Sequence, residues 1–148
     1  MATRTHAREA VISLLYAYDV GNEDIRKFAV SILEQWKIKN AQLEFALNLF
    51  DGVIANLKII NEEIISVLKS WEYSRIGVID RCIIKLGVYE IIFTKLDIAI
   101  IINEALEISK ILGSDNTVRF VNGILDAIAK NYPRDEYIKG KDWWQNCV

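Results

Sequence analysis

The chain has 148 residues, of which 52% are hydrophobic and 26% are charged, and its formal net charge is −2. This balance excludes a disordered chain and a strongly basic protein, and the length suits one domain with a sizeable core. No apolar run reaches the roughly 20 residues that a membrane span needs, and the polar start lacks the apolar stretch of a signal peptide. We therefore expect a cytoplasmic protein with no membrane segment.

The first half of the chain is predicted to be helical. One of two N-terminal threonines can cap a first helix, and Gly21 breaks that helix. A second helix is predicted over 22–36, because this segment begins with acidic residues that suit a helix N-terminus. Over 40–70, apolar residues recur every three or four positions, which predicts one long helix. Because this length is unusual in a globular domain, we interpret Gly52 as a bend or a close helix contact.

The second half is predicted to be helical as well. Ser74 can cap a helix over 75–94. The segment 102–126 contains two amphipathic helix patterns joined by a short polar turn, and Gly113 suits the left-handed cap position at the end of the first. The Ser-Asp-Asn-Thr turn that follows offers N-cap side chains for the last helix, which Pro133 ends.

Cysteine and histidine usage does not favour a metal site. Cys82 falls on the apolar face of the helix predicted over 75–94 and is interpreted as a small core residue. Cys147 lies in the tail, and the two cysteines fit neither a zinc motif nor a disulfide framework. We expect no metal, no cofactor and no enzymatic activity, because the sequence contains no phosphate-binding motif and no convincing nucleophile–base pair.

Several motifs, in order along the chain, resemble one family. INEALEISK begins at residue 102 and RFVNGILD at residue 119, while THAREAVISLLY covers 5–16 and IDRCIIKLGVYEI covers 79–91. Together they resemble the NusB family of bacterial transcription antitermination factors. The resemblance implies an all-α fold of about seven helices, packed as two three-helix bundles.

The resemblance also implies a domain organisation. One NusB-like helical domain is expected over 1–133, with an N-terminal bundle in about 1–70 and a C-terminal bundle in about 75–133. The tail 134–148 departs from the family core and carries no recognised motif. Family members occur as monomers and as homodimers, so the oligomeric state stays open.

The start of the first predicted helix is a candidate RNA-binding site. Arg4 and Arg8 are four residues apart and share one side of the helix, with His6 between them. Cations at a helix N-terminus oppose the helix macrodipole, so they indicate either a solvated end or a polyanionic ligand. The resemblance implies that these three residues contact RNA. Because Thr5 and His6 stand where the family often has arginine, we expect weak binding here, and we expect Arg8→Glu to weaken it while leaving the fold nearly intact.

The start of the last predicted helix is a second candidate. Arg119 and Phe120 place a cation beside an aromatic ring, which is a common way to bind a phosphate and stack an RNA base. From the residues alone, a packed Phe120 beside a surface arginine is the favoured interpretation. The resemblance implies instead that Arg119, Phe120 and Asn122 contact RNA.

Tyr16, Asp80 and Asn116 are candidate contacts for a protein partner. Asp80 is offset from the apolar face of its predicted helix and is therefore expected to be exposed. The resemblance implies that these positions meet NusE, a small-subunit ribosomal protein. Asn116 stands where the family often has aspartate, so this chain keeps the capping ability of that position without its charge.

A further acidic residue, Glu104, lies beside the apolar face of its helix. Buried acids in helical proteins usually pair with a cation. Our hypothesis is that Glu104 pairs with Arg81 and thereby joins the two helices that carry them.

The sequence therefore predicts a transcription antitermination factor that binds the boxA RNA of ribosomal RNA transcripts together with NusE. Other Nus factors and RNA polymerase would complete the assembly. Three alternatives stay open: a NusB-like helical scaffold that binds protein without RNA activity, a NusB-like domain such as the one in an RNA cytosine methyltransferase, and an enzyme of unrecognised type.

Overall fold

The computed structural model describes residues 3–68 and 76–133, and all regular elements in these ranges are helical, which confirms the all-α prediction. The elements in chain order are α1 (Arg4–Asp19), a 3-10 helix (Glu23–Phe28), α2 (Ala29–Gln35), α3 (Ala41–Ala55), α4 (Leu57–Val67), α5 (Val78–Phe93), α6 (Ile98–Leu112) and α7 (Asp115–Asn131). The cap predicted at Ser74 and the tail 134–148 lie outside the described residues.

The ends of α1 follow from its flanking residues. The Thr3 hydroxyl oxygen accepts a hydrogen bond of 3.0 Å from the backbone N–H of His6, which satisfies one donor that the helix itself leaves unpaired. The helix ends at Asp19, and Gly21 follows with φ of 116°, a conformation that side chains disfavour. The helix break predicted at Gly21 is therefore confirmed.

The single helix predicted over 40–70 is wrong, because α3 and α4 are separated at Asn56. The Asn56 side-chain amide donates a hydrogen bond of 2.8 Å to the carbonyl oxygen of Gly52, a local contact of the kind that competes with helix continuation. Gly52 itself lies within α3, and a Cβ at this position would overlap the Tyr89 ring of α5. The prediction of a close helix contact at Gly52 is thus confirmed, whereas the helix ends three residues later, at Ala55.

The turn between α6 and α7 contains a reciprocal capping box. Thr117 donates its backbone N–H to the Ser114 hydroxyl at 3.4 Å, and Ser114 donates its own to the Thr117 hydroxyl at 3.1 Å. An N-cap in this turn was predicted and is confirmed. The left-handed conformation predicted for Gly113 is wrong, since its φ is −122°. Glycine is needed here for space, because a Cβ would lie 2.6 Å from side-chain atoms of Thr117.

One apolar core runs through all seven α-helices, and α5 lies at its centre, in contact with α1, α3, α4, α6 and α7. Cys82 of α5 is completely buried, which confirms its predicted place in the core. α4 contacts α5 and α7 more extensively than it contacts α3. The core is therefore continuous across the two predicted halves, and their division into bundles stays a prediction.

Candidate nucleic-acid interface

Arg4 begins α1 and is exposed. Its guanidinium carbon lies 4.5 Å from the centroid of the Phe45 ring of α3, which is within the range of a cation–π contact. Within 3–68 and 76–133, no carboxylate forms an ion pair with Arg4. This side chain therefore presents a positive charge that the described part of the protein does not neutralise.

Arg8, one turn further along α1, has a different environment from the one that the sequence predicted. It is 2% exposed, and its Nε and Nη2 donate hydrogen bonds of 2.8 Å to the two carboxylate oxygens of Glu90 in α5. Burial opposes the charge of Arg8, but the bonds to Glu90 and the charges of Glu90 and Glu104 outweigh it and raise the pKa of Arg8. Arg8 is thus an internal ion-pair partner rather than a surface RNA contact.

Glu104 of α6 completes this group. Its Oε1 lies 4.0 Å from Nη1 of Arg8, and its Oε2 accepts a hydrogen bond of 2.6 Å from the Thr5 hydroxyl. The predicted pair of Glu104 with Arg81 is wrong, since Arg81 instead donates a hydrogen bond of 2.9 Å to Asp19 of α1. The periodicity that located Glu104 beside the core could not show which cation would reach it.

His6 contacts the segment that follows α2. A carbonyl can only accept, so Nε2 of His6 carries the proton that it donates to the Trp36 carbonyl oxygen at 2.9 Å. The two rings are 5.5 Å apart between centroids. The same segment carries the exposed Lys37 and Lys39, which sequence reasoning missed because they are distant in sequence from the first helix. The start of α1 therefore has basic residues of its own and also lies beside the basic residues of the segment that follows α2.

At the other end of α1, Asp19 accepts hydrogen bonds from two cations of α5. Arg81 Nη2 and Lys85 Nζ each lie 2.9 Å from a carboxylate oxygen of Asp19. Burial raises the pKa of this carboxyl, but the bonds and charges of the two cations outweigh that effect and hold it below its usual value. Ion pairs at both ends thus hold α1 antiparallel to α5.

The second predicted RNA group lies at the start of α7, next to predicted partner contacts. Arg119 and Asn122 are exposed, and Arg119 donates a hydrogen bond to the Asn116 side-chain oxygen. Phe120 is partly buried and lines a surface cavity of about 360 Å³ together with Asp80 and Asn116. The structure therefore brings one predicted RNA contact and two predicted partner contacts into a single depression.

Asp80 is less exposed than the sequence indicated. Its side chain is partly buried and accepts a hydrogen bond of 3.1 Å from the Thr117 hydroxyl, which ties the start of α5 to the capping box of α7. The expectation of a freely exposed acid is therefore wrong. Tyr16 of α1 is 41% exposed, and it lies towards the Asp19 end of the helix.

The predicted RNA contacts fall into two separate groups. Arg8 meets Glu90 near the C-terminal end of α5, whereas Asp80 lies near its N-terminal end. Ten residues separate Asp80 from Glu90, and a rise of 1.5 Å per residue places them about 15 Å apart along the helix. Arg4 and His6 are therefore at one end of α5, and Arg119 and Phe120 are at the other, beside Asp80 and Asn116.

Two further kinds of site are not seen in the part of the chain that the structure describes. Across 3–68 and 76–133, no three His, Cys, Asp or Glu side chains converge in a way that could hold a metal ion. Within the same ranges, no helix is both long enough and apolar enough to cross a membrane.

The fold and these two surfaces define a helical binding protein, and comparison with known proteins gives its family. The model of the NusB family matches residues 5–130, so the chain belongs to the NusB family. It is 61% identical over 128 residues to the transcription antitermination protein NusB of Wolinella succinogenes, which covers 86% of this chain and 95% of that protein. The NusB protein of a Nitratiruptor species is 58% identical over 130 residues, covering 88% and 94% respectively.

Solved structures with the same fold include NusB proteins alone and in a complex. T. maritima NusB has a TM-score of 0.81 and 32% sequence identity, covering 93% of this chain and 98% of that one. A structure of antitermination factors NusB and NusE in complex with double-stranded RNA matches with a TM-score of 0.79 and 29% identity, over 87% and 97% of the two chains. The family prediction made from the ordered motifs is confirmed.

Proposed function

We propose that this protein is a transcription antitermination factor that binds boxA RNA of ribosomal RNA transcripts together with NusE. The observation that carries the proposal is the family match over 5–130, which includes the residues of both candidate surfaces except Arg4. The curated relatives are named for transcription antitermination, and one solved relative is a NusB–NusE complex with RNA. Other Nus factors and RNA polymerase would complete the assembly.

The two ends of α5 support separate binding sites for RNA and for NusE. At one end, Arg4 and His6 provide a basic start of α1 for RNA phosphates, which supply affinity without reading the base sequence. At the other end, Asp80, Asn116 and the exposed Tyr16 provide hydrogen-bonding and aromatic groups for NusE. Because about 15 Å of helix separates the ends, RNA and NusE can be bound at the same time.

The end of α5 that is proposed to bind NusE also carries Arg119, Phe120 and Asn122. We propose that they contact the RNA where it passes from this protein to NusE, since Arg119 and Asn122 are exposed beside the cavity that Phe120 lines. Two weak RNA surfaces on tethered proteins then act together, because the second contact is made at a high effective concentration. The net charge of −2 agrees with weak binding by this protein alone.

This function is non-enzymatic. Glu90 and Glu104, the acids that approach the core near the candidate site, are partners of Arg8 and stabilise the position of α1. We propose that the protein acts in the cytoplasm, where bacterial transcription takes place.

The test is a fluorescence anisotropy titration of labelled boxA RNA with this protein, with and without species-matched NusE, over a series of salt concentrations. We expect tighter, sequence-preferring binding when NusE is present, and affinity that falls with salt as phosphate contacts require. Arg4→Ala should weaken binding, whereas Lys130→Ala should not, because it removes an equal charge from an exposed ion pair with Asp126 that belongs to neither candidate surface.

The rival function is a helical scaffold that binds NusE without RNA activity. It predicts that NusE binds but that boxA RNA gains no affinity from this protein, and that Arg4→Ala has no effect. This pattern in a folded protein would overturn the proposed function.

A further inference from the structure

Phe45 of α3 is the one aromatic ring in the described residues that two arginine side chains approach. The guanidinium carbon of Arg4 lies 4.5 Å from the ring centroid and that of Arg8 lies 5.1 Å from it, both within the range of a cation–π contact. No motif of the sequence singled out Phe45, which is 41 residues beyond Arg4 in the chain.

The position of this ring is fixed from the inside of the protein. Arg8 is almost completely buried and is held by two hydrogen bonds to Glu90, so its guanidinium is a fixed contact for the Phe45 ring. Phe45 is itself partly buried and packs against the apolar core. The ring is therefore a fixed surface on which the first residue of α1 rests.

Arg4 gains order from this contact without losing its capacity to bind an anion. A free arginine side chain has many rotamers, and ordering it on binding costs free energy. A guanidinium placed over an aromatic ring is held through its charge and π system, which leaves N–H donors at its edge for oxygen ligands. No carboxylate in 3–68 or 76–133 pairs with Arg4 and occupies those donors.

We infer that Phe45 is a positioning residue for RNA binding: its ring holds the Arg4 guanidinium in place to bind a backbone phosphate of the RNA. The inference rests on the proposed function and adds a residue of α3 to the RNA site. The buried Arg8 contributes to the same site indirectly, because it fixes the ring on which Arg4 rests.

The experiment is a double-mutant cycle measured by RNA anisotropy in the presence of NusE, using the full chain. Phe45→Leu keeps an apolar side chain but removes the ring, and we expect it to weaken RNA binding about two- to fivefold, the range of an exposed cation–π contact. In an Arg4→Ala background the same substitution should change the affinity by much less, because its effect passes through Arg4. Phe45→Tyr keeps the ring face and should restore the wild-type affinity.

Two controls separate a positioning role from a general loss of structure. Phe28→Leu makes the same change at an exposed phenylalanine of the 3-10 helix and should leave RNA affinity unchanged. Binding of NusE alone should be unaffected by Phe45→Leu, because the NusE candidates lie at the other end of α5.

The outcomes distinguish this inference from the function on which it rests. If the wild-type protein with NusE shows no RNA affinity, the proposed function fails. If the wild type binds RNA but Phe45→Leu has no effect, or has the same effect with and without Arg4, the positioning role is refuted while the function stands.

Discussion

At the scale of single residues, the start of α1 uses its two arginines in different ways. Arg8 is enclosed by Glu90 and Glu104 and stabilises the junction of three helices. Arg4, on the same side of α1, stays at the surface and rests on the Phe45 ring. A buried charge that loses its partner is strongly unfavourable, whereas an exposed one is not. The same substitution should therefore lower stability much more at Arg8 than at Arg4.

Arg8→Glu is expected to lower the free energy of unfolding by at least about 3–5 kcal/mol, because it removes one partner of a buried ion pair. It also places a third carboxylate beside Glu90 and Glu104. This corrects the sequence-based expectation that the substitution would leave the fold nearly intact. Urea denaturation followed by circular dichroism would measure the change.

The matched control is Arg4→Glu, which makes the same change four residues earlier at an exposed position. Its free energy of unfolding should stay within about 1 kcal/mol of the wild type, as is usual for surface charges. Equal unfolding midpoints for Arg8→Glu and the wild type would contradict the internal role of Arg8.

The sequence could locate these residues but not their partners. The spacing of Arg4 and Arg8 shows that they share a side of the helix. It does not show that this side is buried at Arg8 and exposed at Arg4. Glu90 is 82 residues away from Arg8, and only the packing of α1 on α5 brings the two together. For the same reason, Phe45 could not be assigned to the site from sequence.

At the scale of elements, a close approach between α3 and α5 depends on Gly52. A Cβ at this position would overlap the ring of Tyr89, which also stacks on Phe93 with centroids 5.5 Å apart. An alanine would favour the helix by up to about 1 kcal/mol, but overpacking in a closely packed contact costs about 1–3 kcal/mol. The cost of the overlap should exceed the gain in helix propensity here, because the Tyr89 ring cannot move without disturbing its stacking on Phe93.

We therefore expect Gly52→Ala to lower the free energy of unfolding by up to about 2 kcal/mol after the helix gain is subtracted. Gly123→Ala is the control, since it lies within α7 and a Cβ there would meet nothing within 4 Å. That substitution should raise stability by about 0.5–1 kcal/mol. Denaturation of both variants would measure the difference, and a stabilising Gly52→Ala would refute the close contact.

Sequence signals at the ends of elements had mixed success. A threonine cap for α1 and a cap in the turn before α7 were predicted, because capping depends on residues only a few positions apart. The break at Asn56 was missed, since the apolar pattern continues through it and the contacts of α4 with α5 and α7 cannot be read from the sequence. At Gly113, glycine is required because a Cβ would overlap Thr117, and not because the backbone is left-handed.

At the scale of the whole molecule, α5 separates two surfaces and holds each in place. Its C-terminal half fixes the start of α1 through Glu90, and its N-terminal half contacts α7 through Asp80. The all-α fold and the family could be predicted from sequence, because ordered motifs and helical periodicity extend over most of the chain. The separation of the candidate RNA residues into two groups could not, since it depends on the antiparallel packing of α1 on α5.

Under the proposed function, this arrangement would make the protein an adaptor whose action depends on both surfaces at once. RNA bound at the start of α1 and NusE bound beside Asp80 would be held on one rigid helical frame. Each contact can then be weak while the assembled complex is stable, because the second contact is intramolecular. The consequence that matters is an effect on transcription that requires RNA, NusE and this protein together.

The most direct test is terminator read-through in a purified transcription system of the same species, with a template that carries boxA upstream of a terminator. We predict that this protein raises read-through when NusE and the other Nus factors are present, and that scrambling boxA or omitting NusE abolishes the increase. Arg4→Ala should reduce the increase, and Lys130→Ala should preserve it. Read-through that does not change on adding the folded protein to the complete system would contradict the antitermination function.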